Sequence, residues 1–342
     1  MTVRSIAKHT LGVCLFFALT FSAVPLSAMT LQNPPASDQP KISDNERKAI
    51  EKINTSPELN AKMAAAGEFL KKFDKSPMRA RVASYLAGEI MKAPDNQQRL
   101  QAAQTFATTF NKPEEADLIK PTIIDTYVKM NKFDEAYQEA AKYLPGHPDD
   151  VTLQTQLAII GADLAQRQNN PKFVQISQEY GKKAIELMEA DKRPATLDAA
   201  AWTEYRTQWL PRLYQSQGVL SYMTNNKAAA KENFEKSVGL NDRDPVTLMM
   251  VGTIVDDEYQ ELAKRYNAEK AGPGKDAILK QAYGKMDEVI DWFARAVAAA
   301  EGKPEYAPLQ KQLMDNLDAY YKARNNGSTQ GLKELIEKYK KK

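Results

Sequence analysis

The chain has 342 residues, with 47 Lys and Arg against 44 Asp and Glu, two His (His9 and His147) and one Cys, Cys14. Apolar residues make up 43% and charged residues 27%, an ordinary balance for a folded soluble protein, and a formal charge of +3 gives no electrostatic reason to bind nucleic acid or an anionic membrane. With Cys14 and His9 confined to an expected leader, thiol nucleophiles, disulfides and Cys–His metal sites are excluded within one mature chain, and a Ser–His–acid site would have to use His147.

Residues 1–28 read as a secretory signal peptide. Arg4 and Lys8 give a positive start, Leu11 to Val24 is apolar and uncharged, Pro25 breaks the helix, and Leu26-Ser27-Ala28 offers small residues before a cut after Ala28. The apolar stretch is short against the roughly 20 residues that a span needs, so no stable membrane insertion is expected once it is cleaved; an uncleaved anchor is the alternative. Leu11-Gly12-Val13-Cys14 is a faint lipobox, but Val13 is not small and the apolar run follows the cysteine instead of preceding it. Loss of Arg4 and Lys8 takes the formal charge from +3 to +1. Residues 29–42, with three prolines and few bulky side chains, read as a flexible linker.

From Ser43 to Lys340 helical spacing recurs without sustained strand alternation, so residues 43–342 are expected to form one helical repeat domain. Ala65, Ala66, Phe69, Leu70 and Phe73 before Pro77 form the second helix of a pair and its stop, and Ala102, Phe106 and Phe110 before Pro113 repeat the motif. The clearest unit runs from Asp117 to Asp150. Counted from Asp117, Ile123, Ile124, Tyr127, Phe133, Ala136, Ala140, Tyr143 and Pro148 fall at places 7, 8, 11, 17, 20, 24, 27 and 32, with a turn at Met130-Asn131-Lys132. Small residues at places 8 and 20 let two helices approach, larger ones fill the space between them, and the proline stops the second helix. Ile124 departs from this by its bulk.

This segment resembles the tetratricopeptide repeat family. Pro211 to Pro245 is similar, with Tyr214, Gly218, Ala230, Phe234 and Ser237 in register, a turn at Asn225-Asn226, and Gln217 where an apolar residue is usual. Val151 to Met188 gives a further pair with an enlarged turn at Gln166 to Lys172. Leu248, Val251, Gly252 and Val255 open another, whose second helix is expected late, at Met286, Val289, Phe293 and Ala296, after an exposed loop containing Gly272-Pro273-Gly274. Tyr306 to Arg324 and Thr329 to Lys340 form the last pair, joined at Asn325-Asn326-Gly327 and ending in a polar cap. The resemblance implies an all-α, right-handed α-α superhelix of about six or seven helix pairs. Phe69 to Pro77 is also similar, in one short motif, to repeats of envelope proteins of outer-membrane assembly and of Tol–Pal accessory factors.

Several motifs invite chemistry. Gly272-Pro273-Gly274-Lys275 lacks the P-loop's first glycine (Glu269) and its Ser/Thr (Asp276), and reads as a turn. Asp256, Asp257, Glu258 and Glu261 could offer oxygens to a hard cation, but adjacent helical residues splay around the axis, so a solvated face is expected. His147 reads as a loop residue between repeats. Trp202, Tyr205 and Trp209 form a helical stripe, for core packing or for a partner groove. Asn54-Thr55-Ser56 and Asn326-Gly327-Ser328 fit the glycosylation acceptor, but the leader looks bacterial and no modification is expected.

The resemblance implies a concave groove lined by places 2, 5, 9, 12 and 13 of the first helices. These are Leu118, Pro121, Asp125, Val128 and Lys129 in the central unit, and Arg212, Gln215, Val219, Tyr222 and Met223 in the later one; Met249, Thr253 and Asp256 join from the next. The expected function is a non-catalytic scaffold in the periplasm or outside the cell, without metal or cofactor, holding a protein or peptide partner of the cell envelope. A carboxylate-based helical-repeat hydrolase and a small-ligand or glycan binder are the alternatives.

Overall fold

A computed structural model describes residues 40–168 and 170–340. The expected leader, Cys14 and all but the end of the linker lie outside the described residues, as do Lys341 and Lys342 of the polar cap. Among the described residues the chain is all-α, consecutive helices pair, and there is no strand. No described helix is long and apolar enough to cross a membrane. The stretch expected as one repeat domain divides into two compact units, one ending at Asp150 and one beginning at Val151.

The first unit holds α1 (Asp44–Thr55), α2 (Leu59–Lys72), α3 (Arg79–Met91), α4 (Asn96–Thr109), the short α5 (Pro113–Ala116), α6 (Lys120–Lys129) and α7 (Phe133–Tyr143). Starts are capped: the Glu46 N–H donates to Ser43 Oγ at 3.2 Å, and the Gln98 N–H to Asp95 Oδ1 at 2.7 Å. The repeated Phe-x-x-x-Phe motif closes α2 and α4. The rings of Phe69 and Phe73 lie 5.7 Å apart, and those of Phe106 and Phe110 stack at 4.6 Å. Val82, Ala83, Leu86 and Ile90 of α3 fill the space between these helices. Pro113 starts α5, whose Glu115 takes the buried Arg79 guanidinium of α3 through two bonds, Nε at 2.6 Å and Nη2 at 2.8 Å. Asp74 accepts from the same guanidinium.

The second unit holds α8 (Val151–Gln168), α9 (Lys172–Glu189), α10 (Ala199–Met223), α11 (Lys227–Leu240), α12 (Pro245–Ala268), α13 (Pro273–Ala300), a 3-10 turn (Pro304–Tyr306), α14 (Ala307–Arg324) and α15 (Leu332–Lys340). Helix α10 reaches Pro211 and runs through it; the Pro211 carbonyl accepts from Ser237 Oγ of α11 at 2.9 Å. One expectation changes here. The gap expected as a loop in the next pair is helical at both ends, α12 reaching Ala268 and α13 starting at Pro273, the first helical position, which suits proline. In the four-residue turn between them Gly272 holds φ +147°, a conformation that side-chain-bearing residues rarely adopt.

The turns inside three pairs, α6–α7, α10–α11 and α14–α15, share one device. Asn131, Asn225 and Asn326, together with Asp191 after α9, hold left-handed backbone at φ 53–59°. The following N–H then reaches back five residues: Lys132 to the Tyr127 carbonyl, Asn226 to Ser221 and Gly327 to Lys322, each at 2.8 Å, and Lys192 to Leu187 at 2.9 Å. This closes each helix end with its last carbonyls satisfied. Helices then meet at glycines. A Cβ built on Gly218 would lie 2.7 Å from the Phe234 ring, and one on Gly252 2.7 Å from the Phe293 ring, so α10–α11 and α12–α13 pack closer than any larger residue allows. Lateral contacts α8–α10, α11–α12 and α13–α14 join successive pairs.

Candidate interaction surface

In the first unit the expected groove residues lie on α6 and just before it. Leu118 is 43% exposed, but precedes the helix, which begins at Lys120. Pro121 and Val128 are half-buried. Asp125 is engaged by Lys129 one turn on at 2.6 Å and by Arg99 of α4 at 3.7 Å, so two expected groove residues satisfy each other.

In the second unit the expected set splits. Arg212, Tyr222 and Thr253 are half-buried and Met223 is 36% exposed. Gln215, Val219, Met249 and Asp256 are buried, and the expectation that they line an open groove is corrected. The reason is lateral contact between pairs. Gln215 Nε2 donates to Asp244 Oδ2 and, at 2.8 Å, to Thr247 Oγ1 at the start of α12. Val219 and Met249 belong to the apolar core shared by α10 to α15. Asp256 accepts from Tyr320 Oη of α14 and, at 3.0 Å, from Gln260 Nε2.

Of the acidic run on α12, Glu261 is exposed as expected and pairs with Lys264 at 2.7 Å, but Asp256 and Asp257 do not lie on a solvated face. Asp256 and Asp257 are only 7% and 8% exposed, and each acid is held by different helices. Asp256 faces α14. Asp257 receives Lys227 at 2.9 Å from the start of α11 and the Tyr222 hydroxyl at 3.3 Å from α10. Glu258 sits between Lys231 of α11 at 3.4 Å and Lys285 of α13 at 2.9 Å. Burial pushes the Glu258 carboxyl up, but the Lys285 hydrogen bond and the two ammonium charges outweigh it and hold it below the ordinary value. Burial, reinforced by the Asp256 charge, pushes the Tyr320 phenol well up, so it remains a donor; the Tyr259 phenol is pushed up to about 12 by the same two causes. The splay around the helix axis that prevents these acids from converging on one cation lets them fasten α12 to its neighbours. Among the described residues no group of three His, Cys, Asp or Glu side chains is placed to hold a metal.

His147 stacks on Tyr143 at 4.1 Å, and its Nε2 lies 3.1 Å from Asp117 Oδ2. Asp117 also binds Lys120 at 2.9 Å; that hydrogen bond, more than the one from His147, holds its carboxyl below the ordinary value despite some burial. The histidine therefore ties the loop after α7 to the end of α5, and no hydroxyl nucleophile is bonded to it among the described residues. Trp202 and Trp209 of the aromatic stripe are buried, and Trp202 Nε1 donates to Asp191 at 2.7 Å, so the stripe packs the core and pins the α9–α10 turn. Lys275 of the Gly-Pro-Gly-Lys turn donates to the Glu269 carbonyl at 2.9 Å and lies 4.6 Å from the Tyr266 ring centroid, clasping the turn.

Sequence reading missed Tyr320, Lys227, Lys231 and Lys285 as the partners of the acids, because no local spacing relates them. Gln260 was within reach as the i+4 neighbour of Asp256. Lys303 and Tyr306 were missed too: Lys303 Nζ donates to the Arg243 carbonyl at 3.2 Å and lies 5.8 Å from the Tyr306 ring. No protein-family model matches the chain, and no curated protein matches it.

Proposed function

We propose that this chain is an exported tetratricopeptide-like scaffold of the cell envelope, which holds a polypeptide partner on the exposed part of the groove lined by its first helices and performs no chemistry of its own. The observation that carries this is the exposed end of α10. Met223 stands 36% exposed beside half-buried Tyr222, whose hydroxyl is anchored on Asp257, giving a flexible apolar side chain next to a fixed aromatic one. Such a pair suits an adaptable protein contact. The recurrence of the tight glycine contacts at Gly218 and Gly252, about 34 residues apart, is the tetratricopeptide period and supports the family reading. The clustered acids Asp256, Asp257 and Glu258 are each engaged by a lysine, a tyrosine or a glutamine from a neighbouring turn or helix, which favours a structural role for them.

The test is a photo-crosslinking residue at Met223, expressed in the native cell envelope. Specific polypeptide adducts at this position, absent when the same residue replaces exposed Lys264, support the reading. A clean lane at both positions overturns it. Met223→Ala should weaken capture without altering helix content.

A further inference from the structure

A second surface of the same unit has a defined charge chemistry. It gathers where the start of α12 meets α10 on one side and the 3-10 turn on the other. On α10, the Arg212 guanidinium lies 5.1 Å from the centroid of the buried Trp209 ring, an arrangement that holds its planar fork in place. One turn on, Gln215 binds Asp244, and the neighbouring Arg243 carbonyl binds Lys303, which overlies the Tyr306 ring. Arg212, Lys303 and Tyr306 are all half-buried.

The carboxylates near by do not neutralise Arg212. Asp244 is occupied inside the fold: it accepts from the Val246 N–H at 3.3 Å, the Thr247 N–H at 3.2 Å, Thr247 Oγ1 and Gln215 Nε2. Asp242 lies 4.0 Å from Arg243. Glu305 remains, exposed on the 3-10 turn. Among the described residues no carboxylate is within ion-pair distance of Arg212 or Lys303, whereas Lys227, Lys231, Lys285, Arg324 and Lys340 of the same unit all have one. Burial and the Asp244 and Glu305 charges push the Tyr306 phenol up, and the Arg212 charge opposes them. The guanidinium, the ammonium and the phenol therefore share one surface.

We propose that this surface receives an acidic, Asp- or Glu-rich segment of the partner polypeptide, with carboxylates at the Arg212 fork and at Lys303 and an apolar stem against Tyr306. This rests on the scaffold reading and adds the chemistry of the partner. A nucleic acid fits less well: tight binding draws on roughly 6–10 phosphate contacts, and two unpaired cations on a near-neutral chain do not supply them.

The test is fluorescence anisotropy of the purified protein with a labelled Glu-rich peptide, a peptide of the same length with Gln for Glu, and an oligodeoxythymidylate. The Glu peptide should bind at least tenfold more tightly than the Gln peptide, and added salt should weaken it. Arg212→Gln should weaken it about tenfold, the scale of one charge-assisted contact, and Lys303→Gln about threefold. Arg212→Lys, which keeps the charge but loses the fork, should recover only part. Glu305→Gln should tighten binding about twofold. Arg295→Gln should change nothing, although Arg295 also stacks on a tryptophan, Trp292, at 4.2 Å. Equal binding of the Glu and Gln peptides, or of the Glu peptide by the Arg212→Gln and Lys303→Gln variants with helix content intact, overturns the proposal. Oligodeoxythymidylate bound as tightly as the Glu peptide overturns the peptide assignment. Should adducts form at Met223 while Arg212→Gln and Lys303→Gln bind normally, the scaffold stands and only the acidic surface falls.

Discussion

The sharpest test of the packing is a single methyl group placed at two glycines. At Gly252, in the middle of α12, a Cβ would lie 2.7 and 2.8 Å from two carbons of the Phe293 ring and 3.2 Å from Trp292 Cβ. Ordinary carbon contact is about 3.5–4.0 Å, so the ring would have to retreat by nearly 1 Å. It has little room: Phe293 is buried, with the Tyr320 ring edge-on behind it at 6.2 Å. Overpacking of this kind costs about 1–3 kcal/mol, while alanine gains about 1 kcal/mol over glycine inside a helix. Gly252→Ala should therefore lower stability by about 1 kcal/mol net. Gly284 of α13 supplies the control, being exposed on a helix of the same unit with nothing within 4 Å of its Cβ position. Gly284→Ala should raise stability by about 0.5–1 kcal/mol. Denaturant unfolding followed by circular dichroism reads both, and the midpoints should move in opposite directions. A Gly252→Ala protein as stable as Gly284→Ala would refute the claim that glycine sets the α12–α13 spacing.

Other predictions probe the polar joints. Glu115→Ala should destabilise the first unit by about 3 kcal/mol by leaving the buried Arg79 with exposed Asp74 as its one remaining carboxylate, whereas the Arg79→Met, Glu115→Leu double variant should recover most of it; hydrogen exchange on α3 and α4 reports both, and equal losses would refute this account of the pair. Tyr320→Phe removes a donor from buried Asp256 and should cost about 1–3 kcal/mol in the second unit, an unchanged urea midpoint counting against it. The Glu258 carboxyl is held below its ordinary value of 4.5, so its contribution is complete above that value and is lost as pH falls through the lower folded one. Wild type should accordingly lose more stability between neutral pH and pH about 3.5 than Glu258→Gln, as urea midpoints at the two pH values would show, and identical losses would sink the assignment.

Helix content and pairing were legible in the sequence because they follow from local signals. Asn131, Asn225 and Asn326 mark turns that need left-handed backbone, and proline stops or starts helices at Pro113, Pro245 and Pro273. Gly218 and Gly252 could be read as close-contact positions for the same reason. That α10 continues through Pro211 was not legible locally: the missing N–H bond is a local loss, while α10 is held by burial of Trp202, Trp209 and Leu213. The acidic run was misread for a related reason. Its partners lie on α10, α11, α13 and α14, and no periodicity in the vicinity of Asp256 announces a tyrosine more than sixty residues away.

The burial of Gln215, Val219, Met249 and Asp256 has a further consequence. A repeat template assigns these places to an open groove on the assumption that successive first helices leave one wall uncovered. Here Gln215 reaches Asp244 and Thr247, and Asp256 reaches Tyr320, so polar bonds cross from one pair to the next where the template expects ligand. A buried polar bond of this kind fixes register between elements, because a slip would leave a donor or acceptor unpaired at about 1–3 kcal/mol each. On the proposed scaffold reading, recognition falls to side chains that these joints position without covering. Arg212 sits one turn from Gln215, and Tyr222 rests on Asp257 with Met223 beside it. The same contacts that close the centre of the expected groove thus hold its two ends, one cationic and one apolar, in fixed places on a single helix.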